Sequence, residues 1–377
     1  MKRIVKAAIL VCAAQAVQNA QAVDIQAGDW TVSIGGNINA YYTSVGCSGD
    51  NVAGTALAGR ALGCNGRGSA TVIGNGLLPN SLITTVKSHQ GDYDVQGTIG
   101  ISAAVATGSA IAANSAVDVR QGFLTIGNAD IGTFKLGRDY GIFGSNAILG
   151  DMTLLGAGAP VQATQNGRVA LGHIGSGYTY LGTYGQFAYT SPTVHGLQGQ
   201  FALVSPVDSG TGSKAGSMPQ FQAQLSYSRA NWKTWLGAKA QKFYADATSS
   251  DFTEAAFETG ASATLGRFGL LGNVQTGRGL GILSDGDQGD VRGFNYLVQA
   301  SYQPTDKLKL GVNYGVSRSL ASAADAIRYN SNLTLGAYYA ITKSITLVGE
   351  VGQTRSEDTS GKTARLNGVS VGGIMFF

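Results

Sequence analysis

DVRQGFLTIGNADIGTFKLGRDYG occupies residues 118–141. Two strand-like runs, about Val117 to Ile126 and Ile131 to Arg138, flank the tetrapeptide GNAD, whose residue types tolerate a tight turn. The stretch therefore reads as a hairpin. A segment of over thirty residues, Asp139 to Ser176, follows it and is rich in Gly and Ala. Loops of that length in a compact domain usually have a function. The expectation is that this one folds into a barrel and narrows a water-filled channel.

The rest of the chain supplies the barrel. From Trp30 onward the dominant pattern has period two. Phe221, Ala223, Leu225 and Tyr227 alternate with Gln222, Gln224, Ser226 and Ser228, and Leu308, Leu310, Val312 and Tyr314 with Lys309, Gly311 and Asn313. Such alternation sets one group of side chains on each face of a strand. A soluble sandwich would alternate too, but its strands run about 5–6 residues, whereas these often run 12 to 16. Aromatics stand near run ends at Tyr189, Tyr227, Trp232, Phe268, Tyr302 and Tyr339, as girdle residues do at a membrane interface.

Sixteen runs are expected, near 30–45, 80–89, 92–106, 115–127, 131–140, 177–190, 195–206, 219–229, 232–246, 252–265, 268–279, 289–303, 306–319, 326–341, 344–357 and 364–377. Seven short connections alternate with eight longer ones, which puts both termini on the short-turn side. The fold class is thus all-β: a sixteen-stranded antiparallel transmembrane β-barrel whose third outer loop folds inward, with short periplasmic turns and longer outer loops.

Composition agrees. Charged residues are 13% of 377 and Gly numbers 56, against about 25% charged in globular proteins. Low charge with many neutral polar residues fits a lipid exterior and a wet interior. Residues 1–22 read as a signal peptide: Lys2, Arg3 and Lys6, an apolar core from Ala7 to Val17, then Ala20-Gln21-Ala22 as a cleavage site. The apolar core is too short for a membrane anchor. The domain that follows is residues 23–377. Losing three bases of 26, against 22 acids, leaves the mature chain at +1, which argues against nucleic acid as a partner. In an exported, oxidising setting Cys47 and Cys64, 17 positions apart, are expected to pair; the alternative is two free thiols in a mobile loop. His89, His173 and His195 stand apart, no Gly-x-Ser-x-Gly is near them, and no His/Cys cluster has ligand spacing. No enzyme, metal or cofactor is expected.

Three motifs and the C-terminus carry a resemblance. Arg120 leads into QGFLTIG, GTFKLGRDYG occupies 132–141, and GRV lies at 167–169. With this spacing the chain resembles the general porins of Gram-negative bacteria, beta-proteobacterial ones most closely. The last strand, GVSVGGIMFF ending on Phe377, resembles the signal read by the outer-membrane barrel assembly machinery. The resemblance implies a homotrimer in the outer membrane, amid lipid and lipopolysaccharide, passing small hydrophilic solutes and ions by passive diffusion. It makes Arg120 and Arg168 wall arginines of the pore constriction. Arg138, at the loop root, is grouped with them, although its parity matches Phe134 and Leu136 and suggests a role near the subunit contact. Lys135 has the opposite parity, a lumen position. Where enterobacterial members carry acid on the loop, this chain reads DMTLLGAGAP at 151–160, so Asp151 is the one carboxylate expected to oppose the bases. A charged ring selects ions by sign, and weak anion or near-neutral selectivity follows. The alternative is a substrate-specific outer-membrane channel.

Overall fold

The computed structural model describes residues 22–106, 109–111, 117–158, 169–210, 212–245 and 250–377. The expected leader, 1–22, lies outside them except for Ala22. Nineteen strand segments form one continuous antiparallel sheet. They begin with β1 (Val23–Ala27), β2 (Trp30–Gly49), β3 (Ser69–Gly74), β4 (Asn80–Gln90), β5 (Tyr93–Ala103) and β6 (Val117–Asn128). Next come β7 (Gly132–Tyr140), β8 (Thr183–Thr190), β9 (Leu197–Val204), β10 (Lys214–Ala215), β11 (Gln220–Arg229) and β12 (Trp232–Tyr244). The chain finishes with β13 (Phe252–Leu265), β14 (Phe268–Arg278), β15 (Arg292–Tyr302), β16 (Leu308–Ser319), β17 (Ile327–Ala340), β18 (Ile345–Asp358) and β19 (Thr363–Phe376).

The segments make sixteen staves, because three short ones extend others. β3 and β4 pair in turn with the upper and lower parts of β2. β10 continues the line of β11 along β12. β1 continues the line of β19 along β2: Phe377 exchanges backbone hydrogen bonds with Gly36 at 2.9 and 3.1 Å, and Val23 takes up the ladder at Ile34. The pairing of β19 with β2 closes the barrel. The sixteen expected runs match the staves in order. The sixth expected run starts near 177, whereas β8 starts at Thr183, because residues 169–182 stay in the inward loop.

Each strand sends apolar side chains to the outer wall, for example Ile38 and Tyr42, Leu124 and Ile126, and Leu333 and Leu335, all exposed. The opposite faces carry Asn37, Asn39 and Thr43, Gln220, Gln222 and Gln224, or Asn330, Asn332 and Thr334. Lipid and water thus each meet the face the alternation prepares for them. Near the short turns, aromatic rings pair across strands: Phe134 with Tyr189 at 4.9 Å, Tyr227 with Trp232 at 5.3 Å, Phe268 with Tyr302 at 4.8 Å. The GNAD turn is held by Asn128, whose side-chain oxygen accepts from the backbone N–H groups of Asp130 and Ile131.

Inside one half of the barrel lies a true hydrophobic core. The first long loop supplies Leu57 and Cys64, the third supplies Leu154, Leu171 and Tyr178, and the wall supplies Trp235 and Leu297. Cys47 at the end of β2 and Cys64 are joined by a disulfide. The bond ties the first loop to that core.

Candidate functional site

After Tyr140 the chain turns into the barrel. It forms the short helix α1 (Ser145–Gly150) and a 3-10 turn over Met152–Leu155. The loop docks on β11 to β18 through its own backbone N–H groups, which a loop inside a barrel must satisfy without a strand partner. Ile142 and Phe143 N–H donate to Gln222 Oε1 at 2.7 and 3.0 Å, Gly144 N–H to Glu258 at 2.9 Å, and Met152 N–H to Gln299 at 2.6 Å. Ala157 and Gly158 N–H both donate to Glu350 Oε2, at 2.7 and 2.8 Å, while Tyr338 OH donates to Glu350 Oε1 at 2.7 Å. Inward-facing wall acids and amides act as sockets for the loop.

Asp151 belongs to this seating. Its side chain is fully buried. One oxygen accepts from Thr153 N–H at 2.9 Å, Thr153 OH at 2.7 Å and Asn313 Nδ2 at 2.9 Å; the other accepts from Tyr178 OH at 2.7 Å and lies 3.3 Å from His173 Nδ1. Burial opposes its ionisation, but His173 and Thr153 outweigh that and hold the carboxyl below its usual range. Burial, reinforced by Asp151, pushes the Tyr178 hydroxyl well up. Contrary to the expectation of a carboxylate facing the pore, Asp151 joins the loop to β16.

The docked loop leaves a cavity of about 2120 Å³ along β2 and β4 to β9. The loop's side of it is apolar: Ile148, Leu149, Leu154, Leu171 and Leu181 line it, with Tyr180. The wall opposite is polar and charged. Arg120 lines the cavity and its Nε donates to Asp118 Oδ2 at 2.8 Å. It stands at a β-bulge: Gln121 pairs with Gly100 and Val119 with Ile101, so Arg120 is the extra residue. The bulge lets Val119 face outward while Arg120 and Gln121 both line the cavity. Lys135 also lines it, bonded to Asp139, 4.9 Å from the Phe123 ring centre; Asp139 accepts from Gln121 Nε2 at 2.9 Å as well. Lys233 reaches the loop, donating to Asn146 Oδ1 at 2.6 Å.

The structure therefore brings Arg120 and Lys135 together in one cavity. Arg138 does not join them: it is exposed on the outer wall with Phe134 and Leu136, its guanidinium 3.3 Å from Thr183 Oγ1. Parity, not the motif, decides its side. Arg168 lies outside the described residues. The sequence reading missed Asp118, Tyr180, Lys233 and the sockets Glu258 and Glu350. The inward parity of the two glutamates in β13 and β18 was the available signal.

Among solved structures, the anion-selective porin of Comamonas acidovorans superposes with a TM-score of 0.64 at 15% identity, covering 92% of this chain and 100% of that one. The outer membrane channel DcaP of Acinetobacter baumannii gives 0.68 at 16% identity, covering 93% and 99%. OmpT of Vibrio cholerae, solved in a trimer form, gives 0.59 at 13% identity, covering 92% and 99%. At these identities the likeness is one of fold. No curated protein matches the chain as a relative. The family profile of the Gram-negative porins matches residues 7–359, nearly the whole length, and the chain belongs to that family of outer-membrane β-barrel channels.

Proposed function

We propose that the protein is a general porin of weak anion or near-neutral selectivity, passing small hydrophilic solutes and ions by passive diffusion. The carrying observation is the pairing of charge along the open cavity: Arg120 with Asp118 and Lys135 with Asp139. Two unit charges a few ångströms apart interact by about 4 kcal/mol at an effective dielectric near 20. Bases alone would exclude cations; a wall whose central bases, Arg120 and Lys135, are each offset by a neighbouring acid biases permeation weakly. Reversal potentials across a KCl gradient in a planar bilayer test this, with values near zero or slightly anion-favouring expected. Strong selectivity for either sign overturns it.

The apolar loop face opposite Arg120 favours one second reading, a substrate-specific channel for solutes with an apolar body. Liposome swelling with a graded sugar series separates the two: a smooth dependence on size belongs to the general porin, saturation by one solute to the specific channel.

The proposal includes a homotrimer, supported by the trimeric Vibrio cholerae neighbour. It includes removal of residues 1–22, supported by the basic start and Ala20-Gln21-Ala22. It also includes insertion among outer-membrane lipid and lipopolysaccharide by the assembly machinery, supported by the terminal strand ending on Phe377.

A further inference from the structure

Residues 279–291 join β14 to β15 at the long-loop end of the barrel, yet only Ser284 and Asp290 among them are exposed. Asp287 shapes the segment by accepting from the N–H groups of Ile282, Leu283 and Ser284 at 2.7, 2.7 and 3.1 Å. The turn is too tight for a side chain at Gly281, where a Cβ would fall 1.7 Å from Ser284 O. The segment presses on both stems of the inward loop. Leu280 packs on Phe143 of the entering stem. On the returning stem, Tyr180 N–H donates to Leu283 O at 3.2 Å and the Thr179 hydroxyl donates to Gly281 O. Tyr180 and Leu283 both line the open cavity.

Asp285 fastens this segment to the wall. It is buried and accepts from Lys239 Nζ on β12, from Gln220 Nε2 on β11 at 2.8 Å and from Tyr184 OH on β8 at 3.3 Å. Lys239 is buried as well, its ammonium 4.7 Å from the Phe143 ring centre. Glu254 of β13, fully buried, stands 3.0 Å from the same ammonium. Neither of its oxygens has an aligned hydrogen bond among the described residues. Two carboxylates thus share one base. An ammonium left alone in a dry site is costly, but Lys239 is not left alone when Asp285 departs, because Glu254 stays on the wall as its partner.

We propose that residues 279–291 are a strap that positions the inward loop and, through Tyr180, sets the width of the pore, with Lys239 as its latch and Glu254 as the alternative partner that lets the latch open. In the closed state Lys239 pairs with Asp285, and both stems of the inward loop are held. In the open state Lys239 pairs with Glu254, Asp285 turns to water, and the returning stem loses its bond to Leu283. Lys239 is a positioning residue, acting on the solute path through Leu283 and Tyr180. The inference rests on the protein being a channel and not on its selectivity.

The test uses the purified, folded protein carrying Ile282→Cys as parent. Ile282 is 1% exposed, so a charged maleimide labels this position only while the strap is open; Cys47 and Cys64 are bonded and do not react. Asp285→Asn and Lys239→Met in this parent are each expected to raise the labelling rate at least about tenfold, about 1.4 kcal/mol in the open-to-closed ratio. Planar-bilayer records of the same proteins should show matching steps above the main conductance level. Glu254→Gln should do the reverse, because opening now orphans Lys239: slower labelling and fewer steps than the parent. Each variant must keep the heat-modifiable folded band. Asp285→Asn and Glu254→Gln act in opposite directions, and a general loss of packing cannot produce both. Equal labelling in all four proteins overturns the proposal. So does faster labelling of Glu254→Gln, which reduces the cluster to ordinary packing. Faster labelling of Asp285→Asn with unaltered conductance overturns the link from strap to pore. Absent conductance in the parent refutes the channel reading instead, and the labelling rates still decide the latch.

Discussion

Glu350→Ala should release one end of the inward loop while leaving the barrel intact. The Glu350 carboxylate accepts from Ala157 N–H, Gly158 N–H and Tyr338 OH at 2.7 to 2.8 Å. Gly156 is so close that a Cβ there would fall 2.1 Å from Glu350 Oε1. Hydrogen bonds to a charged acceptor are worth about 1.5–3 kcal/mol each. The Tyr338 bond joins β17 to β18, so only the two from the loop count: roughly 3 to 6 kcal/mol, and water entering the vacated space offsets part of that. A net loss of about 3 kcal/mol shifts the docked-to-released ratio by roughly a hundredfold. The ladder hydrogen bonds of β18 use backbone groups and do not change. The expected result in planar bilayers is open-channel noise and frequent partial closures, with the folded, heat-modifiable band unaltered on a gel. Glu350→Gln, which keeps an acceptor, should fall between wild type and the alanine variant. Quiet channels of unchanged conductance from correctly folded Glu350→Ala protein would refute the socket role of this residue.

Other outcomes follow from the same geometry. Arg120→Ala leaves Asp118 unopposed and should move the reversal potential toward cations, whereas Arg138→Ala, on the outer wall, should leave it in place; the reverse pattern sinks the bulge assignment. Cys47→Ser with Cys64→Ser opens a loop spanning 17 positions, worth about 3 kcal/mol in the chain-entropy model; lower urea resistance and faster proteolysis of residues 50–68 are expected, with conductance retained. Asp151 has a folded pKa below its ordinary 3.8. Its contribution to loop docking is therefore complete above about pH 4 and is lost as pH falls through the lowered folded value. The difference in open-channel noise between Asp151→Asn and wild type should persist from pH 7 to about 4 and vanish only in stronger acid; a difference already gone at pH 6 would contradict this seating.

The staves were legible because period two is a local property. Leu225 and Tyr227 announce their face without reference to any other strand. The bulge at Arg120 was not legible. Counting by twos from Leu124 puts Arg120 with the lipid-facing residues, and one extra residue turns it to the water. Only the motif around it pointed inward. The opposite happened at Arg138, where the motif suggested the pore and simple parity was right. Asp151 shows a third limit. Its partners His173, Tyr178 and Asn313 are 22, 27 and 162 positions away, and no spacing rule joins a loop carboxylate to a strand that far along the chain. Glu350 was visible as an inward acid, but what it receives is backbone N–H from the loop, and a sequence pattern carries no record of backbone donors.

The stave shared by β19 and β1 bears on how such a barrel is made. Five residues from the start of the described barrel and fourteen from its end lie along one edge of β2. The pairing that shuts the cylinder is therefore the one of greatest sequence separation, and its loop-closure entropy falls due before any contact offsets it. Until Phe377 reaches Gly36 the sheet has two open edges, each a template for another chain. Assembly of this protein is a race between its own two ends and its neighbours, and whatever holds the last strand during insertion decides the winner.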